Sequence, residues 1–488
     1  MQRDESTVRY ERVDSDYFEA RRLRKYARVG SLWALGVGAV ISGDFFGWNF
    51  GLASGGFGGL FIATGIITVL FTCLCFSIAE MSPALPHTGG AYSFARSAMG
   101  PWGGYITGLA ENMEYVLTPA VIVVGIGGYL QAIFETPEAY APLWWGLTYA
   151  VFVGLNTKGV ETAFRFTVGI TLVALAILVV FWIGAIPHFD FARYALNIEP
   201  DAGASRWLPF GARGIFAALP FAIWFYLAIE QLPLAAEEAH DPRRDMPRGI
   251  LLGLLTLVVC AFLTLILSAG IAPGAAALGT SPDPLFDGFK TIFGDGIGSR
   301  LLAGLAVAGL VASFHSIIFA YGRQIYSLSR AGYFPRWLSK THSQRETPHV
   351  ALVVGAVIGY AVALAIWWFG SGSAVGAILL NLAVFGAVIS YVLQMLSFIL
   401  LRVRMPHIER PYVSPLGIPG AVIAMAIAGL TLVALFVADP VYQGVAVAAA
   451  VWYALGILYF ALYGRHRLVF SPEEAFARDH GRDETGAS

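Results

Sequence analysis

The chain is poor in charge: of its 488 residues only 13% are Asp, Glu, Lys or Arg. Soluble domains carry about 25%. A soluble protein this apolar could not cover its core with polar surface, which leaves the membrane class. The net charge is −1, so no global basic field is available to recruit nucleic acid. Cysteine is also scarce. Cys73, Cys75 and Cys260 lie in apolar runs, and Cys73-x-Cys75 has no second cysteine pair or histidine nearby. They read as core filler, so no metal site is expected. No Gly-x-Ser-x-Gly elbow, His-Glu-x-x-His helix or phosphate loop occurs in a suitable context. An enzyme therefore has no support, and no cofactor is implied. The first thirty residues are polar with no apolar run, so no cleaved signal peptide is expected.

What is abundant is hydrocarbon. Apolar residues make up 57% of the chain, and mean hydropathy is +0.67. Crossing a bilayer takes about 20 helical residues. Twelve runs approach or exceed that length: 31–55, 58–80, 101–133, 142–157, 163–186, 211–236, 248–273, 299–328, 349–369, 374–402, 418–437 and 441–463. Residues 142–157 form the shortest. The polar ends, 1–30 and 464–488, read as frayed or surface-lying segments, and no soluble domain is expected. Lysine and arginine cluster in alternate loops, at Arg21 to Arg28, Arg243 to Arg248, Arg330 to Arg345, Arg402 to Arg410, and Arg465 with Arg467. Twelve alternating spans put all of these on one side. Both termini are then cytoplasmic, in a multi-pass protein of the plasma or inner membrane.

Two spans do not read as ordinary helices. The first holds Gly36 to Gly51, with five glycines, Asp44, Asn49 and the aromatics Phe45, Phe46 and Trp48. The second runs from Leu219-Pro220 through Trp224-Phe225-Tyr226 to Glu230 and Pro233. Backbone that leaves the helix inside a membrane must be buried in protein or line a cavity. Interrupted helices at matching places of two halves point to a transporter's central site, and spans 1 and 6 open two five-helix halves. Glycines alone would also serve close helix packing, but Asp44 among them favours a site.

A charge at the helix centre costs roughly 2.5–3.5 kcal/mol on insertion scales. Asp44, Glu111, Glu114 and Glu230 lie at or near such depth. Glu111 and Glu114 share one helix face with Tyr115 and Thr118. No lysine or arginine lies at a depth to pair with all four, and Arg165 is the one cationic partner to consider. Glu80 and Glu237 read as helix-end carboxylates at water. More carboxylate than cation suits a cationic solute, a proton, or both. The aromatics at the breaks are of the kind whose faces attract ammonium groups.

Five stretches carry a family resemblance. Ser82-Pro83-Ala84-Leu85-Pro86-His87-Thr88-Gly89-Gly90-Ala91-Tyr92 with Gly100-Pro101-Trp102-Gly103-Gly104 resembles the signature after the second helix of amino acid/polyamine/organocation (APC) transporters. Ile41 to Ala53, Gly108 to Val116, and Ala312-Ser313-Phe314-His315 resemble the ethanolamine permease branch. The resemblance implies an all-α membrane protein with a LeuT-like, five-plus-five inverted repeat over 31–186 and 211–402. Helices 1 and 6 are broken, and two extra helices follow over 418–463. It further implies alternating access around those breaks. Family amino acid carriers bind the substrate carboxylate on a Gly-Ser-Gly segment, which here reads Gly47-Trp48-Asn49. Trp48 would crowd a carboxylate there, which fits an amine without one. An arginine carrier stacks a tryptophan on guanidinium where this chain has Ile317. That carrier's gate glutamate matches Glu230, its gating tyrosine matches Glu111, and a lysine of some relatives matches Arg165.

The expected activity is import of protonated ethanolamine or a similar small amino alcohol. The substrate site is expected to use Asp44, Phe45, Phe46, Trp48, Glu111, Tyr115, Trp224, Phe225 and Tyr226. Asp44 and Glu111 would supply the counter-charge. Glu114, Arg165, Glu230, Ser313 and His315 are assigned to gating or coupling, with a proton or another ion as the coupling partner. His315 also suits a helix-packing hydrogen bond. Rival readings are an amino acid permease of the same fold and a non-transporting nutrient sensor, for which the tails are short. Choline and short diamines stand beside ethanolamine as substrates. Monomer and homodimer are both compatible with the sequence.

Overall fold

In a computed structural model of the chain, the described residues are 8–85, 87, 89–294, 297–370, 374–438, 441–472, 475 and 479. Pro86 and Thr88 of the loop motif lie outside them. The architecture is helical apart from one two-residue strand pair.

The first apolar run is broken as its composition predicts. Helix α1 (Val29–Val40) gives way to a single turn, α2 (Ser42–Phe45), and Phe46 is extended. Gly47 follows at φ +94°, a region that favours glycine. Helix resumes as α3 (Phe50–Ala84), bent at Gly56, where φ is +68° and a Cβ would run into the Pro209 ring. Helix α4 (Gly90–Phe134) bends at Gly100, and Pro101 opens its long limb. A proline loses nothing there, because the first N–H groups of a helix have no intrahelical acceptor. Next come α5 (Ala141–Thr157), α6 (Val160–Ala185) and α7 (Gly211–Ala222). After α7 the chain makes a 3-10 turn over Ile223–Phe225, leaves the helix at Tyr226–Ala228, and continues as a 3-10 stretch, Ile229–Glu238. Ala228 sits at φ +83°, strained for a residue with a side chain.

Helix α8 (Pro242–Ala269) precedes two short helices in a loop, α9 (Ala275–Leu278) and α10 (Pro284–Phe293), which the sequence did not signal. Then follow α11 (Ile297–Arg330), α12 (His349–Phe369), α13 (Ala374–Arg404), α14 (Gly417–Ala438) and α15 (Val441–Leu462). Among the described residues, nine helical stretches are long and apolar enough to cross a membrane. The broken first run, the 17-residue α5 and α11 are not among the nine.

Helix α1 is enclosed by α6, α8 and α11, while α3 lies against α7 and α8, and α4 against α11 and α13. The outer face is apolar: Val447, Val451, Leu455, Leu458 and Leu462 form a stripe on α15, each more than half exposed. Such a stripe is stable against lipid, not water. The polar ends are surface-lying but not frayed over the described residues. Tyr10–Glu11 pairs in parallel with Leu468–Val469, and Tyr17 Oη donates to the Arg330 carbonyl at 3.0 Å.

The two breaks touch. A Cβ on Gly43 would fall within the van der Waals radius of the Trp224 carbonyl oxygen. Backbone cannot yield as a flexible side chain can, so Gly43→Ala should cost the ~1–3 kcal/mol typical of overpacking. Gly65, with nothing within 4 Å of its Cβ position, is the control. Thermal unfolding of purified protein should show a lowered midpoint for Gly43→Ala and none for Gly65→Ala. Equal midpoints would refute the close approach.

Candidate substrate site

At the crossing, the broken backbones are tied by side chains that sequence alone does not single out for this duty. The Ser42 N–H donates to Ser313 Oγ at 3.1 Å, and Ser313 Oγ donates to the Gly38 carbonyl at 2.9 Å. Ser313 of α11 therefore closes the gap where α1 stops. Asn49 Oδ1 accepts the Gly47 N–H at 3.0 Å, and its Nδ2 donates to the carbonyls of Leu278 and Ser281 at 2.7 and 2.9 Å. The break is thereby joined to the loop carrying α9. The bond to Asn49 also occupies the Gly47 amide, in the segment where Trp48 is expected to crowd a carboxylate.

The aromatics gather as expected. Trp48 stacks on Phe225 with centroids 5.4 Å apart, and its Nε1 donates to the Asp44 carbonyl at 3.3 Å. Phe46 lies 5.9 Å from Trp224, and the Trp224 ring covers Gly47. Phe45 packs on Gly309 of α11 so closely that a Cβ there would meet its ring at 2.6 Å. Tyr226 stacks on Phe71 at 5.1 Å and shares a 2.7 Å hydrogen bond with Thr68.

Asp44 is 1% exposed, and neither of its carboxyl oxygens has a hydrogen-bond partner of normal geometry among the described residues. Its polar surroundings are Tyr226, Cys260 and Thr264. Cys260 and Thr264, both on α8, carry no sequence signal for this place.

The glutamates form a separate group. Glu114 and Glu230 face each other, beside Tyr391 and Tyr115, and all four are buried. The oxygens of both carboxyls lack partners of normal geometry among the described residues. Glu111 adjoins this group but is engaged: its Oε2 accepts Gln324 Nε2 at 2.8 Å and the Tyr92 N–H at 3.2 Å. It thus caps the helical limb that the loop motif begins. Glu111, expected beside Asp44 as counter-charge, is thus already occupied by Gln324 and the Tyr92 N–H.

Two further expectations need correction. Arg165 is no partner to the carboxylates. Its side chain is 72% exposed, binds Glu161, one turn earlier, at 2.6 Å, and donates to Tyr26 Oη at 3.4 Å. Glu80 is not at water: at 2% exposure it accepts from Arg402, Arg410 and the Ser414 N–H. Glu237, at the end of its helical stretch, keeps 20% of its side chain exposed as expected but is also paired with Arg330 at 2.5 Å. A fully buried pair went unseen in the sequence, Arg323 with Glu238 at 2.9 and 3.1 Å. His315 is a packing group. Its Nδ1 accepts Asn156 Nδ2 at 3.1 Å, which leaves Nε2 to donate to the Ala163 carbonyl at 3.3 Å.

A closed crossing of two broken helices, with an unpaired carboxyl inside and lipid-facing helices outside, is the form of a carrier site. The chain is similar to an uncharacterized transporter of Rhizobium meliloti (strain 1021), 30% identical over 405 residues, or 81% of this chain and 84% of the relative. It is similar to the branched-chain amino acid permease BcaP of Bacillus subtilis (strain 168), 26% identical over 91% of this chain and 94% of the relative. The D-serine/D-alanine/glycine transporter of Escherichia coli (strain K12) is 25% identical over 75% of this chain and 78% of the relative. The amino acid permease family matches residues 29–462. The chain belongs to that family of the APC superfamily and is a membrane-embedded transporter, not an enzyme.

Proposed function

We propose that this permease imports a small protonated amine without a carboxylate, ethanolamine or a close amino alcohol, by alternating access at the helix crossing. The observation that carries this reading is Asp44, buried at the breaks with no cation paired to it among the described residues. Of the buried arginines, Arg323 and Arg330 are committed to Glu238 and Glu237, and Arg96 lies over the Tyr333 ring and donates to the Val469 carbonyl. An ammonium group supplies what the site lacks, a charge and hydrogen-bond donors together. The Gly47 amide, bound to Asn49, is not free for a substrate carboxylate. Phe45, Phe46, Trp48, Trp224 and Phe225 wall the site and exclude water. Tyr115, Glu111, Glu114 and Glu230 form the gating and coupling group, with a proton as the shared charge. Ser313 and His315 hold α11 against α1 and its neighbours.

The reading includes twelve crossings in a LeuT-like inverted repeat, with both termini cytoplasmic in the plasma or inner membrane. It is supported by helices at every expected run and by the lysine and arginine alternation. One other substrate class has a specific observation in its favour. Two of the relatives are named as amino acid carriers, so a neutral amino acid is the rival.

Uptake into proteoliposomes distinguishes them. Ethanolamine should compete for its own uptake at least about tenfold better than alanine, and equal competition by alanine overturns the amine reading. Asp44→Asn should weaken ethanolamine binding by about tenfold or more, the cost of losing a charged hydrogen-bond partner. Glu111→Gln and Glu230→Gln should bind within about threefold of wild type yet lose accumulation driven by a pH gradient. Retained accumulation removes them from coupling. Arg165→Gln should leave uptake essentially unchanged, because its guanidinium faces outward. A loss would return Arg165 to the transport path.

A further inference from the structure

The hydrogen-bond directions around Asp44 narrow the amine further. Thr68 Oγ1 donates to the Thr64 carbonyl at 2.7 Å, one turn back on α3. A threonine hydroxyl has one proton. In the 2.7 Å contact between Thr68 Oγ1 and Tyr226 Oη, tyrosine is therefore the donor. The Tyr226 proton points into α3, and the phenol oxygen offers the break only a lone pair. The ring cannot swing to change this, being stacked on Phe71 with planes at 27°. The Trp224–Phe225 backbone that leads into Tyr226 lies against Gly43, next to Asp44, and neither Asp44 oxygen has a hydrogen-bond partner of normal geometry among the described residues. Thr264 Oγ1 accepts the Trp182 indole N–H at 3.3 Å, which leaves one hydroxyl proton to serve Asp44. The carboxylate still keeps most of its accepting capacity.

We propose that Asp44 and Tyr226 form an acceptor-only subsite that selects a primary ammonium group over a quaternary one. This rests on the amine reading above and states its substrate class more narrowly. A primary ammonium brings three N–H donors to the acceptors. A trimethylammonium brings the charge but no donor, and leaves buried acceptors unpaired, a loss that sites built for hydrogen bonding punish heavily. Aromatic cages can reverse that preference by cation–π attraction. Here Trp48 and Phe225 stack on one another and the Trp224 ring covers Gly47, so these faces are already engaged.

The test is calorimetric titration of the purified full-length protein with ethanolamine, N-methylethanolamine, N,N-dimethylethanolamine and choline. Their protonated or quaternary nitrogens carry three, two, one and no N–H. Affinity should fall at each step, with at least about a hundredfold between the ends. Tyr226→Phe keeps the ring and removes the lone pair, so the ethanolamine-to-choline ratio should shrink by about tenfold. Thr68→Val frees the Tyr226 proton to turn toward Asp44 and should shrink it in the same direction. Choline binding as tightly as ethanolamine in the wild type overturns the proposal. So does a Tyr226→Phe variant that weakens both equally. Should a variant fail to fold, the methylation series on the wild type decides alone. Binding of alanine with none of the four amines overturns the amine reading itself, and this proposal with it.

Discussion

Inside a bilayer, no water is present to bond an exposed peptide group, and each unsatisfied one costs several kcal/mol. This protein interrupts two helices near the middle of its helical bundle, and much of its architecture answers that requirement. Ser313 Oγ bridges the end of α1 by donating to Gly38 and accepting from Ser42. Asn49 uses both ends of its amide to hold Gly47 and the loop carrying α9. Gly43 has no side chain, so the Trp224 carbonyl can lie directly against α2. Removing any of these would leave peptide groups unpaired or force the breaks apart.

The same economy governs charge. Several arginines are matched to buried or half-buried glutamates: Arg323 to Glu238, Arg330 to Glu237, and both Arg402 and Arg410 to Glu80. Losing one partner of a fully buried pair such as Arg323–Glu238 costs about 3–5 kcal/mol. At the crossing the pattern reverses. Asp44, Glu114 and Glu230 have no cation, and their oxygens lack partners of normal geometry among the described residues. A site kept short of positive charge and donors is one that a cationic donor, or a proton, completes.

Much of the fold was legible because lipid imposes length. The ends of α5, α12, α14 and α15 fall within a few residues of the apolar runs, since hydrocarbon thickness fixes how many helical residues must be apolar. The short helices α9 and α10 were not legible: at 4 and 10 residues they carry no membrane-length signal. Arg165 was misplaced because depth along a helix can be counted from sequence, but the face it presents depends on which neighbours pack against α6.

Sequence alone determined that the chain is a membrane bundle, that its first and sixth runs are interrupted, and that carboxylates and aromatics are concentrated there. Those are properties of composition and local backbone, readable one segment at a time. Only the tertiary structure decided which carboxylates stand together, that Glu111 is committed to Tyr92 and Gln324, and that Asp44 looks instead toward Tyr226, Cys260 and Thr264. It also decided the direction of the hydroxyl chain from Tyr226 through Thr68 to Thr64. These are contacts between helices far apart in the chain, and a helix's rotation about its own axis is set by what packs on it.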